Sequence, residues 1–133
     1  MSISMRTALR NTRLDTITTD VGVSGTIRIY DGTPPASANA ALSGNTLLAT
    51  LTCSATFAPA AAGGVLTANA ITSGTAVATG TASFFRLLRP DGTTVVLQGN
   101  VATSGQDLNL NSVSITTGGP VSCTSFVITE ANS

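Results

Sequence analysis

The residues able to do chemistry in this chain are few. Its acids are Asp15, Asp20, Asp31, Asp91, Asp107 and Glu130, and six arginines balance them to a formal net charge of zero. There is no His and no Lys. Acid–base catalysis by a carboxylate pair needs two of these acids to meet in space. Asp31, Asp91 and Asp107 each stand beside Gly or Gln in a turn context, where Asp commonly bonds its own backbone. Serine and threonine are abundant, with 14 and 23 residues. A hydroxyl nucleophile requires a base, however, and neither His nor Lys is present to act as one. The commonest metal ligand is missing for the same reason. No EF-hand spacing, P-loop, dinucleotide-binding glycine motif or nucleophile elbow occurs. Cys53 and Cys123 permit one disulfide. Lacking a partner base, they read as two small buried hydrophobes in a reducing compartment. The expectation is a protein with no catalysis, no cofactor and no metal.

The remaining polar signal is in the arginines. Arg6, Arg10 and Arg13 fall at i, i+4 and i+7, on one face of a helix. They form either an interface stripe that pairs with a partner's carboxylates or a solvated face. Arg86 and Arg89 flank Leu87 and Leu88, and they read as edge-strand charges that discourage uncontrolled pairing. Phe57, Phe84 and Phe126 suit a core. Tyr30, next to the Asp31-Gly32-Thr33-Pro34-Pro35 turn, is the candidate exposed aromatic contact. The candidate interface residues are therefore Arg6, Arg10, Arg13, Tyr30, Pro34 and Pro35.

These residues must be positioned by two kinds of element. The first 21 residues predict a helical arm, with a helix over 5–18 and Ser4 as its N-cap. An isolated helix of that length is marginal, so it needs its own β domain or a neighbouring chain to pack against. From Gly22 the pattern changes to β over 22–133. Ile27 and Ile29 alternate with polar neighbours. Leu47, Ala49, Leu51, Cys53, Ala55 and Phe57 alternate with Thr and Ser over 47–57, which marks a strand with one buried face. Weaker strands follow at 65–71 and 76–82. A hairpin is predicted from 84–89 and 93–101 around Pro90-Asp91-Gly92. Leu108 and Leu110 lie on even positions, but Val113 and Ile115 lie on odd ones, so a bulge or turn is expected near Asn111 and Ser112. A last strand covers 121–129. About eight short strands separated by turn signals predict an all-β chain, an antiparallel sandwich, jelly roll or barrel with one short N-terminal α-helix.

Charged residues make up 9% of the 133 residues and hydrophobic ones 42%. That composition argues against disorder, and zero net charge argues against nucleic-acid binding by bulk charge. No basic start precedes an apolar segment of about 7–15 residues, and no apolar run nears the roughly 20 residues of a membrane span. The expectation is a cytoplasmically made protein with no membrane partner.

Several segments resemble small virion proteins of tailed bacteriophages. They are the opening Thr7-Ala8-Leu9-Arg10-Asn11-Thr12-Arg13-Leu14-Asp15, Ile27-Arg28-Ile29-Tyr30-Asp31-Gly32-Thr33-Pro34-Pro35, Leu47-Leu48-Ala49-Thr50-Leu51, Gly80-Thr81-Ala82-Ser83-Phe84-Phe85-Arg86 and Phe126-Val127-Ile128-Thr129. Among these proteins the chain is most similar to capsid cement or decoration proteins. The resemblance implies a jelly-roll-like β-sandwich that binds the major capsid protein and stabilises the shell, as a homo-oligomer on the virion. It carries over no catalytic residue. A tail- or fibre-associated module binding a partner protein or host carbohydrate is the alternative expectation.

Overall fold

A computed structural model describes residues 4–129. It holds one helix, α1 (Thr7–Val21), and eleven strands. These are β1 (Thr26–Tyr30), β2 (Leu47–Thr52), β3 (Val65–Thr67), β4 (Gly74–Thr75), β5 (Gly80–Thr81), β6 (Phe84–Leu88), β7 (Val95–Ala102), β8 (Leu108–Leu110), β9 (Ser114–Ile115), β10 (Pro120–Val121) and β11 (Cys123–Thr129). The chain is mostly β with one short helix, as its periodicity predicts.

The helix begins and ends later than the pattern suggests. Arg6, not Ser4, is the N-cap residue, and it makes no side-chain cap bond. The stop is Gly22, whose φ of 73° is a conformation glycine adopts without a Cβ penalty. Its N–H bonds to Thr18 O at 3.3 Å. The intervening Thr residues have poor helix propensity, but tertiary packing overrides it. Leu14 and Val21 are buried in the common core. Asn11 and Asp15, one turn apart, bind the 58–64 segment. Asn11 Oδ1 accepts from Gly64 N–H at 2.9 Å, and Asp15 Oδ1 accepts from Ala61 N–H at 2.8 Å. The helical arm therefore packs on its own β body.

Seven strands form one curled sheet in the order β2-β1-β6-β7-β8-β11-β3. It is mixed, which corrects the purely antiparallel expectation. β7 and β8 run parallel through Val101↔Leu108 and Ala102↔Asn109. The loop around Gly105 brings the chain round so that β8 runs in the same direction as β7. A second correction concerns strand 47–57, whose regular strand ends at Thr52. Its pairing runs one bond further in the same register, Cys53 N–H to Gly25 O at 2.9 Å, and then the chain turns away. The parity change after Leu110 does mark a strand end: β8 stops there, and β9 pairs elsewhere, with β5.

The small strands seal the body. β4 pairs β10 and β5 pairs β9 in one common register, through Thr75↔Pro120 and Gly80↔Ile115. They are two ends of a ribbon, 72–82 against 113–123. On its other side this ribbon bonds the free edge of β2, through Thr72 N–H to Thr52 O at 2.8 Å and Val77 N–H to Leu48 O at 2.8 Å. Since β10 runs on into β11, backbone hydrogen bonds close a circuit around the core. Closure needs a glycine at Gly74, because a Cβ there would land on the Thr50 carbonyl. Covering the β2 edge in this way removes a template for uncontrolled strand addition.

Inside the circuit, Ile27 and Ile29 of β1 face the same interior as Phe85 and Leu87 of β6. Phe126 packs edge-on against both Phe57 and Phe85, at centroid distances of 5.5 and 5.2 Å.

Candidate functional site

Alternation along β1 turns Ile27 and Ile29 inward and therefore sends Thr26, Arg28 and Tyr30 to the outer face of the sheet. Register then sets their neighbours. Arg28 lies between Thr50 of β2 and Arg86 of β6, and Gln98 of β7 lies beyond Arg86. Tyr30 lies opposite Phe84, and the rings stack at 5.3 Å with an interplanar angle of 17°.

The segment 31–46 folds back over part of this face. Its neck is closed by Asp31: Asp31 N–H donates to Thr46 O at 3.2 Å, and Asp31 Oδ1 accepts from Thr46 N–H at 2.7 Å. Asn45 Nδ2 donates to Asp31 O at 2.8 Å and to Thr33 O at 3.0 Å. From the sheet, Ser83 Oγ donates to Gly32 O at 2.6 Å. Gln98 Nε2 donates to Pro35 O at 2.9 Å, and Arg86 Nη2 donates to Ala40 O at 2.5 Å. Arg86 Nε also donates to Gln98 Oε1 at 2.9 Å. Arg86 Nη2 also reaches Ser37 O at 3.5 Å, so the arginine and glutamine orient each other and hold the loop at three carbonyls.

Arg86 is only 6% exposed. It lies on β6, an inner strand of the sheet, so the edge-charge expectation is overturned. Pairing on both sides buries the whole strand, and the guanidinium is satisfied by carbonyl oxygens instead of water. A single Arg inside Phe84-Phe85-Arg86-Leu87-Leu88 was the available signal: a lone cation in a fully apolar strand has to be tethered. Arg89, past the strand end, is exposed.

Tyr30 is not an exposed contact. At 5% exposure it is buried beneath its turn and against Phe84. Pro34 and Pro35 are part-buried in the loop itself, with the Pro35 carbonyl turned toward Gln98. Arg6 and Arg13 are exposed, and Arg10 is half-buried. Arg10 Nη2 donates to Thr7 Oγ1 at 3.1 Å, and Arg13 Nη1 lies 3.1 Å from Met5 Sδ. These two groups of candidate residues are anchored to different parts of the body, the helix to 58–64 and the loop to β6 and β7.

The acids whose side chains are hydrogen-bonded serve the fold. Asp15, Asp31 and Asp91 all accept from backbone N–H groups. Asp91 Oδ1 takes both Thr93 N–H and Thr94 N–H at 2.9 Å, and Oδ2 takes the Thr94 hydroxyl at 2.7 Å. The Thr94 and Thr93 amides, in that order, pull its pKa down to about 2. A depressed carboxylate stabilises the fold above its unfolded pKa, near 3.8, and loses that contribution as pH falls toward 2. The Asp91 carboxyl carbon should accordingly titrate by NMR near pH 2; a midpoint near 4 would refute the turn bonding.

Cys53 and Cys123 are both free thiols. Segment 72–82 runs between the chains that carry them, bonding Thr52 on one side and Val121 on the other. Burial, and for Cys53 also the neighbouring Cys123, raises each pKa to about 11. A raised thiol pKa stabilises the fold below the unfolded value, near 9, and this is lost as pH climbs toward 11. Ellman's reagent at pH 8 should therefore label neither thiol until denaturant is added. Rapid labelling of the native protein would show an accessible thiolate.

Among the described residues no group of three or more His, Cys, Asp or Glu could hold a metal ion, and no helix is long and apolar enough to cross a membrane. A shallow hollow of ≈ 460 Å³ between the helix and β7 is lined by Thr16, Ile17, Thr19, Asp20 and Val96. No protein-family model, curated protein or solved structure matches this chain.

Proposed function

We propose that this chain is a non-catalytic assembly module, a cement protein that binds the major capsid protein of a tailed-bacteriophage shell. It would be made in the host cytoplasm and carried on the virion as a homo-oligomer. The observation that supports this reading most is the use of its polar side chains. Asp15, Asp31, Asp91, Arg86 and Gln98 all hold the protein's own loops. The result is a rigid block with a nearly neutral surface of small residues. Such side chains lose little rotamer entropy on close packing, and few charges need desolvation. We read the curled sheet and the 72–82/113–123 ribbon as jelly-roll-like, two walls around one core. The carbohydrate-binding alternative loses its aromatic platform, since Tyr30 is buried.

Purified protein mixed with expanded, undecorated phage capsids should co-sediment at a fixed stoichiometry. No binding to the assembled lattice would sink the reading. Substituting Arg6, Arg10 and Arg13 together by Ala should weaken attachment while the β body stays folded; unchanged attachment would make them a solvated face.

A further inference from the structure

We infer that the outer face of α1 docks α1 of a second copy of this chain, antiparallel and about a two-fold axis, an inference that rests on the homo-oligomer part of the reading above. The first observation is a pair of charges at the wrong ends of the helix. Arg6 is the N-cap residue, and Asp20 stands in the last turn. A helix favours negative charge at its start and positive charge at its end. α1 has no acid in its first turn and no base in its last. Both side chains are exposed, and neither makes a hydrogen bond or an ion pair among the described residues. Charges that work against their own helix call for a reason outside it.

Their spacing supplies one. Positions 6 and 20 are about four full turns apart, so they lie on one flank at opposite ends. A second α1 running the other way sets Arg6 beside Asp20 of the second copy, and two-fold symmetry repeats the pair at the other end. Each charge then also meets the helix end that favours it.

The same arrangement matches shape. Leu9, Thr12, Thr16 and Thr19 follow the alternating three- and four-residue spacing of a helix-pairing seam, and all four are exposed, on the side opposite the buried Leu14 and Val21. The threonine hydroxyls donate to the helix's own carbonyls, Thr12 to Ala8 O at 3.0 Å, Thr16 to Arg13 O at 2.5 Å and Thr19 to Asp15 O at 3.3 Å. A partner helix therefore meets their methyl groups and strands no hydroxyl. Leu9, 39% exposed, is the one large apolar side chain on this seam. In the pairing that joins Arg6 to Asp20, Leu9 lands at Thr19 of the second copy. There the ≈ 460 Å³ hollow opens, lined by Thr16, Thr19 and Asp20 and by the part-buried Ile17 and Val96. Arg13, near the axis, is turned along its own helix to Met5 Sδ. One pair of helices ~22 Å long buries less than the roughly 1,000 Å² of a lasting interface, so the contact is weak and concentration-dependent.

Sedimentation equilibrium of the full chain tests this, from about 10 μM to about 1 mM, a range that populates even a millimolar complex. Wild type should dimerise reversibly. Arg6→Asp and Asp20→Arg should each weaken the dimer by about tenfold or more, because symmetry applies every change twice. The double reversal should return to within about threefold of wild type, since it exchanges the two members of each pair. Asp is a preferred N-cap and a base suits the last turn, so neither reversal melts α1. A monomer at every concentration overturns the pairing. So does a dimer indifferent to the single reversals, or a double reversal no better than they are. Capsid co-sedimentation reads separately: a monomer that decorates capsids removes the pairing and leaves the cement reading standing, whereas a dimer that ignores capsids removes the cement reading and keeps the pairing.

Discussion

Arg86→Ala should destabilise the protein by about 3 kcal/mol and free the 31–46 loop. The guanidinium is buried in the middle of the sheet and donates to Ala40 O and to Gln98 Oε1. Truncation leaves these acceptors without their donor, at about 1–3 kcal/mol each when water does not reach them. Gln98 also loses the contact that orients it, which weakens its own bond to Pro35 O. The estimate sits below a simple sum because the loop is partly exposed and admits water. For a chain of this size, the thermal midpoint should fall by roughly 10 °C. Protease cleavage within 33–45 should appear at concentrations that leave wild type intact. Arg86→Lys should recover little, because an ammonium cannot reproduce the fork that serves a side-chain amide and a loop carbonyl together. A midpoint within about 2 °C of wild type, with no new cleavage, would show that the loop is held by other contacts.

The larger loss is expected from Phe126→Ala, at about 4–5 kcal/mol. Phe→Ala in a core costs about 3–5 kcal/mol through lost transfer energy and the cavity left behind. Phe126 belongs at the upper end because it is 3% exposed and meets two rings edge-on, Phe57 and Phe85. Such ring pairs add about 0.5–1.5 kcal/mol each in double-mutant cycles. Phe126 also lies on β11, opposite Leu108, where the ladder passes from β8 to β3. The cavity would therefore open where the closed circuit depends on side-chain packing. Phe126→Leu keeps most of the volume and should cost far less, under about 2 kcal/mol. Denaturant unfolding gives both numbers directly. Equal losses for Ala and Leu would mean that ring geometry, not volume, governs the site.

Much of this architecture was legible one strand at a time. Alternation at Ile27 and Ile29 and along Ala49, Leu51 and Cys53 identified strands and their inward faces, because period 2 is a property of the backbone alone. At Leu47 it failed, since the register shift at Ile29/Tyr30 sets Leu47 opposite Tyr30 and gives Leu48 to the core, and Ala55 is exposed. Gly22 and the Pro90-Asp91-Gly92 turn were readable for the same reason: breakers act locally. Charge balance and the missing His and Lys bounded the chemistry before any fold was known.

Strand order was not legible, because it depends on which segments meet at long range. That is why Arg86 resembled an edge charge and proved to be a buried tether, and why Tyr30 looked exposed and proved to be covered by its own loop. The parallel β7–β8 contact and the closure by the ribbon depend on the path of short loops, and no residue pattern announces that path. Arg28 shows the division most clearly. Its position on the outer face follows from alternation in β1. That it stands opposite a second arginine, with a buried nitrogen and no acceptor, follows only from the pairing of β1 with β6.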